Sequence, residues 1–426
     1  MRISKTSQYL ATFNLFLIFI GYQLVTSLLL PNYASYEGTT EGSSISRLVT
    51  IPYRIFALVV SLIVLLQNWN KKVKFNTPIK LYFVFWALLI FRIIYDLYIR
   101  PDIPVNKGDA RETIIFVFFV CLLPVLSVYK SLGTINFRKA FLSIFFGYIF
   151  LIPVFYLNNP LLFSTESSNY RLSGNIAMNT IAFGHYGVTL ALLAFYWGRN
   201  VTTYWKKVAS YLLIFVGAFV MIRAGSRGPL VAFVACFIFY FIAKQKTSIG
   251  IMLVGLLFVV LSYALSDFFF DAIRTISPLL ATRMTLSGSS TEIEDFSNGR
   301  VSLYDEALNR FFDSPLIGES FAIFNPDGSY IYSHNMILDA FMALGLFGGM
   351  LFVVMLGFAV FHSRNIILFK FRHWWIAPVC VQYIIYNLFS GTFYQSCTLN
   401  VLLIITLYYS RRRNIHKKKS FQEKTN

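Results

Sequence analysis

Twelve long, continuously apolar runs decide what this chain can fold into. A hydrocarbon crossing needs about 20 apolar residues, and within lipid every backbone polar group must be paired inside a helix or a closed barrel. The runs fall at roughly 8–30, 51–67, 79–99, 113–129, 140–157, 176–197, 208–222, 229–243, 249–266, 335–361, 374–390 and 397–409. None alternates with a period of two, so they predict helices rather than barrel strands. The fold class expected is an all-α polytopic membrane protein. The first run exceeds a signal-peptide core and lacks a small-residue cleavage pattern, so it reads as a retained helix. No repeat, low-complexity tract or linker divides residues 1–426, which read as a single membrane domain.

The net charge of +18 raises nucleic-acid binding, but the distribution of that charge excludes it. Lys and Arg crowd into alternate connections, at 1–7, 68–78, 130–139, 198–207, 244–247, 362–373 and 411–426, where Glu423 is the single acid. This asymmetry predicts that those segments and both termini are cytoplasmic. The basic tail 411–426 then reads as an anchor near anionic lipid. The cations left in the opposite set are nearly all Arg, with Lys107 the exception. Arginine grips phosphate through a planar fork and lysine does not, so part of this set reads as selected for an anionic ligand and the rest as partners of the external acids. Cys121, Cys236, Cys380 and Cys397 lie in or beside apolar runs without metal-ligand spacing and read as packing residues.

One long polar stretch interrupts the apolar runs, a large external loop at 267–333. Within it Leu303, Ala307, Leu308, Phe311 and Phe312 recur at helical spacing, predicting a short amphipathic helix on the membrane surface. Asp313-Ser314-Pro315 ends it, because proline cannot continue a helix. The loop closes on His334-Asn335 at the entry to the next apolar run. His334 is the sole histidine expected on the external side, where it can exchange a proton near neutral pH or simply cap a helix. His185 lies mid-span and reads as packing.

Three further places bear on chemistry. Arg223-Ala224-Gly225-Ser226-Arg227-Gly228-Pro229 joins two runs, with Pro229 suited to a helix start. Two guanidiniums and the N–H groups of that start would make an anion site, although a charged hairpin marking the interface would look the same. Arg300 precedes the surface helix and Arg171 follows Asn169-Tyr170 on another external loop. Arg92 and Asp96, spaced i, i+4, read as a structural pair.

His334-Asn335 followed by Gly345-Leu346-Phe347-Gly348 resembles the signature of O-antigen ligases and the related bacterial polysaccharide polymerases. Arg171-Leu172-Ser173-Gly174, Ser226-Arg227-Gly228, Gly299-Arg300 and Ser314-Pro315-Leu316-Ile317-Gly318 precede it in the same order as in that superfamily. The resemblance covers roughly residues 170–360. Leu303-Tyr304 departs from it, where a Trp or similar aromatic is expected after Arg300. The resemblance implies a metal-independent, inverting, membrane-embedded glycosyltransferase that needs no cofactor. Its donor would be an undecaprenyl-diphosphate-linked glycan on the outer leaflet of the bacterial plasma membrane. His334, Arg227 and Arg300 would be the catalytic set, with Arg223, Arg171, Asn335 and Gly228 binding substrate. A moderate loop favours a polymerase that joins lipid-linked repeat units; a ligase acting on lipid A-core is the alternative. A chain-length regulator and a flippase of the same pathway would be partners. The competing class is a lipid-linked glycan flippase or transporter, which would keep its ionisable residues at mid-membrane.

Overall fold

The computed structural model describes residues 5–30, 44–73, 75–100, 105–159, 172–175, 178–247, short pieces of 249–257, 266–284 and 300–409. Arg171, the tail 411–426 and most of the run at 249–266 lie outside the described residues. Among the described residues nine helices are long and apolar enough to cross a membrane. They are α1 (Lys5–Leu29), α2 (Ser44–Asn68), α3 (Thr77–Ile99), α4 (Lys107–Ser131), α5 (Phe137–Asn158), α6 (Thr180–Asn200), α7 (Tyr204–Arg223), α8 (Arg227–Lys244) and, after three shorter helices, Met336–Leu368. The shorter ones are α9 (Ser266–Ile276), α10 (Pro278–Met284) and α11 (Arg300–Asp313). Met336–Leu368 is therefore α12, followed by α13 (Ile376–Ser390) and α14 (Cys397–Tyr409), shorter but apolar. A two-residue hairpin, β1 (Ile323–Phe324) with β2 (Tyr330–Ile331), is the only named strand pairing among the described residues. The protein is an all-α polytopic membrane protein.

Asparagine starts these helices repeatedly. Asn76, Asn106, Asn136, Asn179 and Asn335 each accept a hydrogen bond from a backbone N–H of the first turn, satisfying a donor that the helix cannot pair itself. The centre of the bundle is α6, whose residues from Phe183 to Ala194 are all buried. It crosses α7 at Gly187 and Gly217. A Cβ on either glycine would sit about 2.5 Å from the other's carbonyl oxygen, so hydrogen is the only side chain that fits this crossing. The far side of α7 exposes Tyr211, Leu212 and Phe215.

Buried polar side chains tie helices across the apolar interior. Asn400 accepts from the Tyr82 hydroxyl (2.8 Å) and the Trp86 indole (3.2 Å). Gln382 on α13 donates to the His185 carbonyl (2.9 Å) and pairs with Thr189 on α6. Asn14, Ser61 and Ser127 link α1, α2 and α4. Basic connections touch in pairs, with Lys71 on Thr134 and Arg364 on the Gln245 carbonyl.

At the opposite end α12 is broken. Gly345 has φ 62 and ψ −160, a backbone conformation nearly confined to glycine. The break frees groups that an intact helix would pair internally, and the segment after α11 takes them up. Leu346 N–H donates to the Pro315 carbonyl (2.7 Å), and the Met342 carbonyl accepts from Glu319 N–H (2.9 Å). Gly318, at φ 79, lies against the Ala343 carbonyl, and Gly345 lies against Leu316. Two glycines thus let the Pro315–Gly318 turn press backbone to backbone into the break.

The turn is held from behind by α3. Arg92 bonds Asp96 (2.9 Å) and the Gly318 carbonyl (3.0 Å), Asp96 accepts from Phe321 N–H (2.7 Å), and Arg100 reaches the Glu319 carbonyl. Arg92 and Asp96 accordingly form a structural pair. The surface helix expected at 301–312 is α11, and it packs on α12 through Leu303 and Ala307, which cluster with Leu338 and Met342. Leu308 and Phe312 instead face outward, Phe312 being 67% exposed.

Replacing Gly345 or Gly318 with Ala should each cost at least about 2 kcal/mol, from a strained φ and a backbone overlap together. Thermal unfolding in detergent checks this. Gly357→Ala, whose added Cβ meets nothing within 4 Å, should be neutral or slightly stabilising as the control.

Candidate functional site

A cavity of about 850 Å³ opens beside the start of α12, with His334, Arg300 and Tyr332 on one wall. The start of α6 contributes Asn179, and the end of α13 contributes Tyr386 and Asn387. Deeper in, it reaches α2 and the π-helical turns inside α1 (Leu17–Gly21) and α4 (Phe116–Leu122). Such turns widen a helix by one residue and recur at functional sites.

His334 adopts φ 61, a left-handed conformation that a residue with a Cβ rarely takes. It is held there by its neighbours. The Ser333 N–H and hydroxyl both donate to Asp339 Oδ1 (2.9 and 2.8 Å), and the Asn335 N–H donates to Ser333 Oγ (3.2 Å). Asn335 then caps α12 by accepting from Ile337 and Leu338 N–H (3.0 and 3.3 Å). The chain on both sides of the histidine is thus bonded down, and its ring stands proud against the edge of Tyr332, 4.5 Å away. His334 Nδ1 is buried with no hydrogen-bond partner among the described residues, which leaves it open to a water or a ligand atom.

Burial pushes the His334 imidazole down to about 4, and the Arg300 guanidinium adds to the shift. The ring is therefore neutral at physiological pH and able to accept a proton. Burial also raises the Tyr304 phenol, with Arg300 opposing and Asp339 reinforcing that shift. Arg300, Tyr304, His334 and Asp339 therefore share one electrostatic neighbourhood.

The arginines of the α7–α8 turn do something else in this structure. Arg223 Nη1 donates to the Ile276 carbonyl (3.2 Å) and Arg227 Nη1 to the Arg283 carbonyl (3.0 Å). Arg283 in return donates to the Gly225 carbonyl (3.4 Å). The two guanidiniums hold the C-terminal ends of α9 and α10, where helix carbonyls present partial negative charge. Neither lies on the cavity wall that holds His334 and Arg300. Gly225 has φ 63 and serves the tight turn, while Gly228 faces Phe389 of α13 at ordinary contact distance. Of the site residues expected from the sequence, His334 and Arg300 come together on the cavity, Asn335 flanks them as a cap, and Arg223, Arg227 and Gly228 form a neighbouring turn. Arg171 lies outside the described residues.

Asp339 and Tyr332 escape a sequence reading centred on arginine and histidine. Asp339 is buried, and its Oδ2 has no hydrogen bond and lies beside the Thr392 hydroxyl, itself unpaired. The signal was present: an acid in the first turn of an apolar helix is a functional candidate by its cost alone.

The depressed His334 pKa has a stability consequence. Between about 6.5 and about 4 the unfolded chain binds a proton at this residue that the folded chain refuses, so stability falls as pH falls through that window. His373, also depressed to about 4 by burial and Arg372, contributes the same sign. A His334→Asn variant, which keeps a residue tolerant of left-handed φ, should show a shallower slope than wild type in chemical denaturation between those limits. Equal slopes would contradict the assignment.

A comparison with curated proteins finds no match to this chain. Residues 209–353 match the family model described as O-antigen ligase. That stretch runs from α7 through the Arg223–Arg227 turn, α11 and His334 to the break at Gly345. The match spans about a third of the chain and supports the O-antigen ligase and polymerase superfamily that the sequence motifs resemble.

Proposed function

We propose that this protein is a surface-polysaccharide polymerase, a metal-independent inverting glycosyltransferase that joins undecaprenyl-diphosphate-linked repeat units at the periplasmic face of the bacterial inner membrane. The whole chain acts as one membrane domain, with both termini cytoplasmic. The observation that carries the reading is a neutral, strained His334 sharing a cavity with Arg300 inside an O-antigen ligase-type sequence match.

In this reaction the acceptor hydroxyl oxygen forms a bond to the anomeric carbon from the face opposite the leaving group. His334 takes the hydroxyl proton. The electron pair of the breaking C–O bond goes to the lipid diphosphate, whose growing charge Arg300 stabilises in a water-poor cavity. Inversion follows from the single displacement. Arg227, with Arg223 beside it, serves the diphosphate from the neighbouring turn, and this requires their present carbonyl contacts to exchange for phosphate oxygens. Arg171, Asn335 and Gly228 complete the expected substrate contacts, Asn335 by fixing where the histidine backbone lies. A chain-length regulator and a flippase would work on either side of this step.

Electrostatics couples the two substrates. Arg300 helps to keep the His334 pKa low, so a diphosphate that neutralises Arg300 raises the basicity of the histidine. The enzyme becomes a better base once the donor is seated.

A ligase reading, with lipid A-core as acceptor, is favoured by the description of the matching family. The two readings share the donor side and part at the acceptor. Deleting the gene in its host and resolving the lipopolysaccharide by gel separates them. Core bearing one repeat unit marks a polymerase; bare core with polymer retained on the lipid carrier marks a ligase.

His334→Asn should lower transfer about 10²- to 10⁴-fold with membrane insertion unchanged. Arg300→Lys should lose at least about 10²-fold, because a point charge does not replace a fork. Normal activity in both variants would remove this site, and activity lost to a chelator and restored by a divalent metal would remove the metal-free mechanism. The acid limb of kcat should lie at higher pH than that of kcat/KM, since the first reports the donor-bound enzyme and the second the free enzyme. Coincident limbs would deny the coupling.

A further inference from the structure

The cavity that holds His334 also holds a cation that the transfer mechanism does not use. Arg54 lies on α2, inside the span Arg47–Asn68, and lines the same cavity. It is roughly 10 Å further along the helix than Arg47, at 1.5 Å per residue. An ionisable side chain within a span is costly and marks a ligand path unless a counter-charge accounts for it. No carboxylate or hydrogen-bond partner accounts for Arg54 among the described residues; its contacts are ring faces. The guanidinium sits 4.5 Å from the Phe116 ring and 5.8 Å from that of Tyr22. Phe116 opens the π-helical turn of α4, and Tyr22 directly follows that of α1.

This geometry suits a receptor for an anion. Ring faces near the guanidinium favour its charge without using its N–H groups, which can then serve a bidentate acceptor. Glu112 is the sole acid among the cavity-lining residues, and it lies opposite Arg47 at 3.9 Å, where both side chains are about 60% exposed. Among the described residues the interior around Arg54 therefore carries a positive charge that no acid faces. The rim beside it is apolar and open: Ile51 and Phe119 line the cavity and are nearly half exposed. A ligand with an anionic head and an apolar tail fits both, the head on Arg54 and the tail leaving across that rim.

We propose that Arg54, clamped by Phe116 and Tyr22, binds the diphosphate of a second lipid-linked substrate, the acceptor, while Arg300 and His334 serve the donor. This rests on the polymerase reading, in which both substrates carry a polyprenyl diphosphate. It gives two cations of one cavity separate tasks, and Arg54 lies outside residues 209–353, where the family model matches.

The test counts lipids. Full-length protein in phosphatidylcholine nanodiscs, titrated with undecaprenyl diphosphate and read by native mass spectrometry, should bind two per chain. Arg54→Gln should bind one, Arg300→Gln one, and the double variant none. Arg54→Lys, which keeps a cation in the span, should recover part of the second occupancy and so rule out simple misfolding. Two lipids bound to Arg54→Gln, or one bound to wild type and still retained by it, would overturn the proposal. Loss of one lipid from Arg54→Gln with none lost from Arg300→Gln would leave this site standing and remove the donor clamp. Excess inorganic diphosphate should leave the Arg54-dependent lipid in place; its complete displacement would mean that the site reads free diphosphate rather than a lipid headgroup.

Discussion

A helix broken inside a membrane protein has to hand its unpaired backbone groups to another part of the chain, because lipid offers none. The break at Gly345 meets that demand with a turn from outside the helix: Pro315 takes the Leu346 N–H and Glu319 supplies the Met342 carbonyl. The active-site end depends on this exchange. It makes the first part of α12 a short, separately anchored half-helix, and it welds that half-helix to α11, which starts at Arg300. The two residues proposed to do the chemistry therefore ride on pieces joined by backbone hydrogen bonds, which no rotamer change can loosen.

Strain and support are matched at His334. Its left-handed backbone costs energy, and Ser333, Asn335 and Asp339 spend hydrogen bonds to hold it. The same loop buries Nδ1 without a partner. In the proposed mechanism, preorganisation of this sort places a neutral base before substrate arrives, and the Arg300 field lets substrate change its basicity on arrival. The Arg223–Arg227 turn plays a different part in the observed state, gripping the ends of α9 and α10. An anion that engages those guanidiniums competes with helix carbonyls some fifty residues further along the chain.

Much of this was legible from residue order because it is governed by short-range periodicity. Among the described residues the apolar runs fall on the spans, with most ends within a few residues and the end of α12 seven residues further on, and Pro315 gave the end of α11. The sequence also exposed Ser314–Gly318 and Gly345 as a paired motif, but their physical meaning, one backbone packed against another, needs two segments brought together across nearly thirty residues. The apolar spacing of α11 located the helix but not which of its apolar residues pack inward: Leu303 and Ala307 meet α12, while Leu308 and Phe312 are exposed. The carbonyl partners of Arg223 and Arg227 leave no trace in sequence at all, since any residue has a carbonyl. Arg54 and Asp339 were visible as charges within apolar runs and were passed over in favour of the loop.

The outward residues of that end have a consequence of their own. Phe312, Leu316, Ile317 and Phe347 are all more than half exposed, and they lie on or beside the clasp that positions His334. Seated in a bilayer they act as a float, fixing the height of the site against the lipid surface. Local membrane thickness then sets the registry between the histidine and a diphosphate tethered to its own tail. In the proposed reaction, transfer then becomes a function of the acyl-chain length of the surrounding lipid, with an optimum where the float and the lipid headgroups stand level.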